Sequence, residues 1–207
     1  MKIKNARFVT SIAQAERYRD ISAAEPMKEI CVVGRSNVGK SSFINMLARN
    51  GKLAKTSSTP GRTRLINLFS FNDGEFTLVD LPGYGYAAAS KSEKNKWGGL
   101  IEGYLQSTQS LLRALALVDC RHEPSVLDRQ MIEYFYYYNI PFSVIATKAD
   151  KLSRNQLTAA IQKIATCFGM GKDNIIAVSA VSGKGRDEVL ELIDGILNTN
   201  GQTFGEE

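Results

Sequence analysis

The chain has 207 residues, 43% of them hydrophobic and 23% charged, a composition that excludes intrinsic disorder and collagen-like repeats and suffices for one sizeable core without disulfide or metal staples. It holds no run of about 18 apolar residues, and its start shows neither an apolar stretch nor a small-residue cleavage site, so neither a membrane span nor a secretory signal is expected. Net charge is +5, yet residues 187–207 carry six acids and no base, which leaves 26 basic against 15 acidic residues over the first 186; such a body suits a polyanionic partner such as nucleic acid, or is a solvated basic surface.

In chain order, strand and helix alternate almost throughout. Residues 29–33 read as a short buried strand ending at Gly34, and 41–49 as a helix. Cys31 opens the odd cysteine count, with Cys120 and Cys167; no metal-ligand spacing results, and buried free thiols of a reducing cytosol are expected. Residues 65–71 and 76–79 are strand-like and joined by Asn72-Asp73-Gly74, a hairpin signal. Residues 92–106 read as a helix and 112–118 as a strand. Pro124 is placed in the first turn of the next helix, whose inward stripe is read as Leu127, Met131, Tyr134, Phe135 and Tyr138. A strand at 142–146, an amphipathic helix ending at Gly169, a strand at 175–178 and a final helix striped by Val189, Ile193, Ile196 and Leu197 complete the pattern. Such alternation predicts a mostly parallel sheet with helices on both faces and one antiparallel strand from the hairpin.

Gly34-Arg35-Ser36-Asn37-Val38-Gly39-Lys40-Ser41 fits G-x-x-x-x-G-K-[ST] after a strand and at the opening of a helix. There the backbone N–H groups and the helix N-terminus cradle phosphates. Lys40 is expected to reach the β and γ phosphates, and the Ser41 hydroxyl to ligate Mg²⁺. Asp80 ends an apolar strand and is followed by Leu81-Pro82-Gly83. Its carboxylate can hold Mg²⁺ directly or through water, and the Gly83 N–H can sense the γ-phosphate. Thr63, which immediately precedes a strand, is preferred over Thr59 for completing the Mg²⁺ shell.

Thr147-Lys148-Ala149-Asp150 follows a strand. An Asp there accepts from the guanine N1–H and 2-amino groups, which adenine lacks; Lys148 can lie over the base, and Ser179-Ala180 can offer a backbone N–H to the guanine oxygen. These phosphate and base motifs read as a GTPase, hydrolysing GTP through a nucleotide-dependent switch. An ATP-using P-loop enzyme, for which the phosphate loop alone suffices, is the reading that Asp150 argues against.

Arg49, Lys52, Lys55, Arg62 and Arg64 fall in sixteen residues without an acid, and Lys91, Lys94 and Lys96 lie beside Trp97. Both groups flank the expected sensing loops and read as an RNA-facing surface. Trp97 can stack on a base or anchor its helix. The run Tyr134-Phe135-Tyr136-Tyr137-Tyr138 is read as core, three of its five rings facing the sheet. His122 receives no role.

Taken together, GRSNVGKSS, STPGRTRLINLF, LVDLPGYGYA and KSEKNKWG resemble the EngB family of translation-factor-related GTPases, from about residue 28 to 198. The resemblance implies a Ras-like P-loop GTPase fold, α/β, with a six-stranded, mostly parallel sheet in the order 2-3-1-4-5-6. It implies residues 1–27 as an N-terminal extension packed on or near the domain, 28–198 as the GTPase domain and 199–207 as a flexible tail. It adds Ser42, Gly61, Arg62, Arg64, Leu65, Leu81, Pro82 and Val181 to the nucleotide-binding set. It further implies a monomeric cytoplasmic protein of bacteria, without membrane contact, that binds GTP and GDP with Mg²⁺, assists assembly of the large ribosomal subunit through ribosomal RNA and is linked to cell division. Tyr84 stands where Ras-like enzymes place a water-orienting Gln, so intrinsic hydrolysis is expected to be slow, and a GTP-binding scaffold with negligible turnover is the alternative. Asn37 is where potassium-activated relatives hold K⁺; it is read as a K⁺ ligand or as a residue that shapes the loop.

Overall fold

The computed structural model describes residues 1–13, 18, 28–55, 65–85 and 91–199, with backbone alone at 91–98. The expectations on Thr59, Gly61, Arg62, Thr63 and Arg64, on the side chains of Lys91, Lys94, Lys96 and Trp97, and on residues 200–207 lie outside the described residues.

Seven strands form one sheet: β1 (Ala6–Ile12), β2 (Glu29–Gly34), β3 (Ile66–Phe71), β4 (Phe76–Asp80), β5 (Leu111–Asp119), β6 (Phe142–Thr147) and β7 (Ile175–Ala177). Their order is β1-β3-β4-β2-β5-β6-β7. The six strands from β2 onward keep the expected order. The correction is a seventh strand, β1, which pairs antiparallel with β3 and for which alternation with helices gives no signal. Since β3 is also antiparallel to β4 while the remaining pairs are parallel, β3 is the one reversed strand. It turns into β4 through Asn72, Asp73 and Gly74, with φ of 50°, 56° and 97°; side chains of Asn and Asp tolerate this left-handed region. Phe71 and Phe76, opposite one another across the turn, stack at 4.9 Å.

Five helices are described: α1 (Lys40–Ala48), α2 (Lys91–Ser107), α3 (Val126–Tyr137), α4 (Arg154–Phe168) and α5 (Arg186–Thr199). β2 is buried along its whole length, and its side chains alternate between two cores. Ile30 and Val32 meet Phe43, Ile44 and Leu47 of α1 and Val189, Leu190 and Ile193 of α5. Cys31 and Val33 meet the other core, with Ile101 and Tyr104 of α2, Phe135 of α3 and Ile164 of α4. A strand covered on both faces reads as a continuous apolar run, as 29–33 does.

Two expectations on α3 are corrected. Pro124 precedes the helix, because Ser125 is the N-cap and forms a capping box with Asp128. The buried residues are Asp128, Ile132 and Phe135, with Met131 and Tyr134 packed partly buried on the same core; of the expected stripe, Leu127 and Tyr138 are the two that face outward. Tyr136, Tyr137 and Tyr138 are exposed; the helix ends at Tyr137, so helical spacing no longer governs Tyr138.

Arg186 is buried and caps α1 from across the fold. Its Nη2 donates to the Leu47 carbonyl at 2.7 Å and its Nε to those of Met46 and Leu47 at 3.0 and 3.2 Å. These carbonyls lie in the last turn of the helix that opens at the phosphate loop; that of Met46 also accepts from the Arg49 N–H at 3.2 Å, and that of Leu47 is one of the terminal carbonyls a helix leaves over. Arg186→Ala is expected to lower stability by about 2 kcal/mol, measurable by urea unfolding.

Glu29, at the opposite end of β2 from the phosphate loop, is fully buried. It accepts from the hydroxyls of Tyr18, Tyr104 and Thr108. Burial raises its carboxyl above the ordinary 4.5, and the three hydroxyls only partly offset this. A carboxyl raised on folding stabilises the fold while protonated, and that contribution is lost as pH rises from about 4.5 through the raised value. Glu29→Gln is therefore expected to flatten the fall in Tm across that window, read by thermal melts at several pH values.

Candidate nucleotide site

The site is assembled at the C-terminal ends of β2, β4, β5, β6 and β7. β2 delivers Gly34, and the chain turns through Arg35, Ser36, Asn37, Val38 and Gly39 into α1. Asn37 and Gly39 take φ of 65° and 107°, and no side chain caps the helix at Gly39. The first-turn amides of Lys40, Ser41 and Ser42 thus meet no capping side chain, and with the helix dipole they form a seat for an anionic oxygen.

Three charged or close-packed groups meet beside this seat. The Lys40 ammonium is held below its ordinary pKa by burial, opposed by the Asp80 charge. Asp80 is buried, and burial raises its carboxyl against the lowering effects of Lys40 and of an Asn67 amide at 3.3 Å. Its other oxygen, Oδ1, is buried without a hydrogen-bond partner among the described residues. Gly83 packs so closely on the phosphate loop that a Cβ there would stand 3.0 Å from Lys40 Nζ and 3.1 Å from Ser36 N. Leu81 and Pro82, between them, are buried, and the Leu81 N–H donates to the Val32 carbonyl at 3.0 Å.

Tyr84 continues that contact. It bridges to Arg35, and its carbonyl accepts from the Ser36 N–H at 2.8 Å. Its phenol donates to Asp128 Oδ1 at 2.9 Å, while the other Asp128 oxygen accepts from the N–H and hydroxyl of Ser125. Burial, then the Asp128 charge, raises the phenol well above its ordinary range. The position after Gly83 thus carries a neutral donor tied to the start of α3.

The base-side motif braces the phosphate loop. Thr147 Oγ1 lies 2.8 Å from the Val38 carbonyl and 3.2 Å from that of Val118, tying β6 to the loop and to β5. Lys148, at φ 63°, donates to the Asn37 carbonyl at 2.8 Å and pairs with Asp119 Oδ2 at 2.8 Å. Asp119 also receives both sides of the Arg121 guanidinium, at 2.9 and 2.8 Å. Burial works to raise its carboxyl, but Arg121 and Lys148 outweigh it and hold the group well below the usual carboxylate range. Asp150 Oδ1 accepts from the buried Ser179 hydroxyl at 2.7 Å, chiefly for which its pKa is lowered. Ala180 and Val181 are exposed on the turn after Ser179, and Leu65 is half-buried before β3.

Asp119, Arg121 and Asp128 are site neighbours that the sequence reading passed over. Ser-x-x-Asp at 125–128 signals a cap, and Asp119, like Asp80, is an acid closing an apolar strand. His122 lines the same cleft, of about 190 Å³, as Arg35, Asn37, Asp119, Asp128 and Lys148.

The donor set fits a divalent cation. Asp80 Oδ1 is a buried oxygen lacking a partner among the described residues, and Ser41 supplies a hydroxyl in the first turn of α1. Among the described residues no cluster of three His, Cys, Asp or Glu offers another metal site, and no helix is long and apolar enough to cross a membrane.

The family model of 50S ribosome-binding GTPases matches residues 29–148. The chain is 46% identical over 98% of its length to a probable GTP-binding protein EngB of Pelotomaculum thermopropionicum, all of whose length is covered. It is 47% identical over 93% of its length to the corresponding protein of Clostridium perfringens, with 96% of that protein covered. Among solved structures it resembles a probable GTP-binding protein EngB with a TM-score of 0.69 at 23% identity, covering 83% of this chain and 99% of the other. It also resembles Era of Aquifex aeolicus with a TM-score of 0.65 at 24% identity, covering 86% of this chain and 57% of that one. At such identities the structures attest the fold alone, an α/β P-loop GTPase fold.

Proposed function

The chain belongs to the EngB family of GTP-binding proteins and is a GTPase, and from that membership we propose that it is a cytoplasmic, GTP-dependent switch in assembly of the large ribosomal subunit. The observation that carries the switch is the seating of Gly83 and Tyr84 on the phosphate loop. A segment packed so closely that Gly83 has no room for a side chain between it and Ser36 and Lys40 cannot ignore whether a γ-phosphate is present. The family description of ribosome-binding GTPases and the basic Arg49, Lys52 and Lys55, exposed just after α1, support an RNA-bearing partner.

In this reading Lys40 and the amides of 38–42 take the phosphates, and Gly83 contributes its N–H. Ser41, Asp80 through water and Thr63 hold Mg²⁺, which supplies neutralisation of charge on the phosphate oxygens. Asp150, Lys148 and the turn at 179–181 take guanine. Asn37 serves K⁺; its carbonyl is already engaged by Lys148, so the amide side chain is the group in question. Equal hydrolysis in K⁺ and Na⁺ at fixed ionic strength removes that role.

The test of the whole reading is co-sedimentation with separated ribosomal subunits, comparing a non-hydrolysable GTP analogue with GDP at one salt concentration. Large-subunit binding with the analogue alone is expected. Equal binding in both states, or none, overturns the switch. The Tyr84–Asp128 bond favours one alternative, a GTP-holding scaffold, because it commits the phenol elsewhere. Multiple turnovers in the presence of ribosomal particles exclude that alternative.

A further inference from the structure

The tyrosine run at the end of α3 is an exposed surface. Tyr134 and Tyr138 have ring centroids 4.5 Å apart, and Tyr138 and Tyr137 4.8 Å apart. Tyr137 is 78% exposed and Tyr138 48%. Tyr136 belongs elsewhere, with its hydroxyl on the Phe168 carbonyl and its edge against Phe142. Tyr137 and Tyr138 thus present ring surface to solvent, backed by the half-buried Tyr134, with Tyr137 about 14 Å along α3 from Asp128, at 1.5 Å per residue.

The charge around them is negative. Glu102 on α2 raises the Tyr134 hydroxyl's pKa, after burial, across a seam where Gln106 Nε2 lies 3.5 Å from the same oxygen. Glu133 is one turn before Tyr137, and side chains four apart share a helix face. Both glutamates are exposed, and among the described residues neither has an ion-pair partner. On a chain with a net excess of base, this is an aromatic patch with free carboxylates.

We propose that this patch docks a cationic, arginine-bearing segment of a partner protein. A guanidinium stacks on tyrosine faces and donates to carboxylates at once, which an ammonium does less well. Buried tyrosines are favoured anchors of protein interfaces. Stacking of RNA bases on the same rings is the rival, and two unneutralised carboxylates oppose it by repelling phosphates.

The experiment is fluorescence anisotropy of the full chain with a labelled peptide of nine arginines and, separately, a labelled strand of nine uridines, at near-physiological salt. Tyr137→Ala and Tyr138→Ala are each expected to weaken the peptide about three-fold, and the pair about ten-fold. Tyr137→Phe is expected to retain it, because the π-face survives. Glu102→Gln with Glu133→Gln is expected to weaken it, more so as salt is lowered. Oligonucleotide affinity is expected to stay constant across the tyrosine variants. No binding of the peptide, or equal binding by parent and double alanine variant, overturns the proposal. So does a loss of oligonucleotide binding that follows the tyrosines, which assigns the surface to RNA. All the variants alter exposed groups, and their thermal melts establish that they are folded.

Discussion

Asp150→Asn is expected to lower affinity for GTP and GDP by about 10³- to 10⁴-fold and to raise affinity for the xanthine nucleotides. In the parent, Oδ1 of Asp150 is held by the Ser179 hydroxyl at 2.7 Å. That hydroxyl continues to hold an oxygen in the variant, so the new amide nitrogen takes the place of Oδ2. A donor then faces the N1–H and 2-amino donors of guanine, and donors left unpaired against donors account for discrimination of this size. Xanthine carries a carbonyl where guanine carries the amine, and the amide nitrogen can donate to it. Competition of labelled GDP by GTP, XTP and ATP measures the change. Retained preference for guanine would remove Asp150 from the base site.

Lys40→Ala is expected to weaken binding of both guanine nucleotides by on the order of 10² to 10³, as expected for removal of one partner from a buried charge contact. The reason lies in the free protein. Burial already disfavours the Lys40 ammonium, and the charge of Asp80 is what supports it. Phosphate is therefore the partner that makes the charge favourable. Thermal melts read this without any hydrolysis assay. GDP at about 100 times the parent's Kd stabilises the parent by about 2.7 kcal/mol, roughly 5–10 °C for a chain of this size. The same GDP concentration is expected to raise the variant's Tm by no more than about 2 °C. An equal rise in both proteins would mean that Lys40 does not touch the phosphates.

The phosphate loop, the hairpin and the base motif were legible because each combines local turn chemistry with a strand end. Gly39 at φ 107° and the left-handed Asn72-Asp73-Gly74 are conformations that residue type alone announces. The braces were not legible, because they are long-range. Lys148 was read as a cover for the base, but it also joins residues 111 positions apart when it meets the Asn37 carbonyl. Tyr84 and Asp128 are 44 positions apart. Asp128 also explains the misread stripe of α3. A buried acid is invisible to a search for apolar periodicity, so the stripe was begun at the exposed Leu127 and passed over Ile132, although Met131, Tyr134 and Phe135 do pack on the core. β1 failed for a related reason: a strand that reads Ala-Arg-Phe-Val-Thr-Ser-Ile, with one residue buried, has too weak an alternation to be found alone.

That strand decides which edge of the molecule can recruit another chain. With β1 in place, β3 has neighbours on both sides, and the exposed rim passes to β1. The register of β1 slips between Phe8 and Thr10, a bulge that interrupts the regular row of amides a stray strand would copy. β3, by contrast, reads Ile-Asn-Leu-Phe-Ser-Phe, with four apolar residues of six, and its pairing with β4 has no slip. Stripped of its cover, it would present an apolar template of the kind that seeds intermolecular β-pairing. The first twelve residues thus act as a guard against aggregation as much as a part of the fold, and a chain begun after Ile12 would turn that guarded strand into a sticky margin.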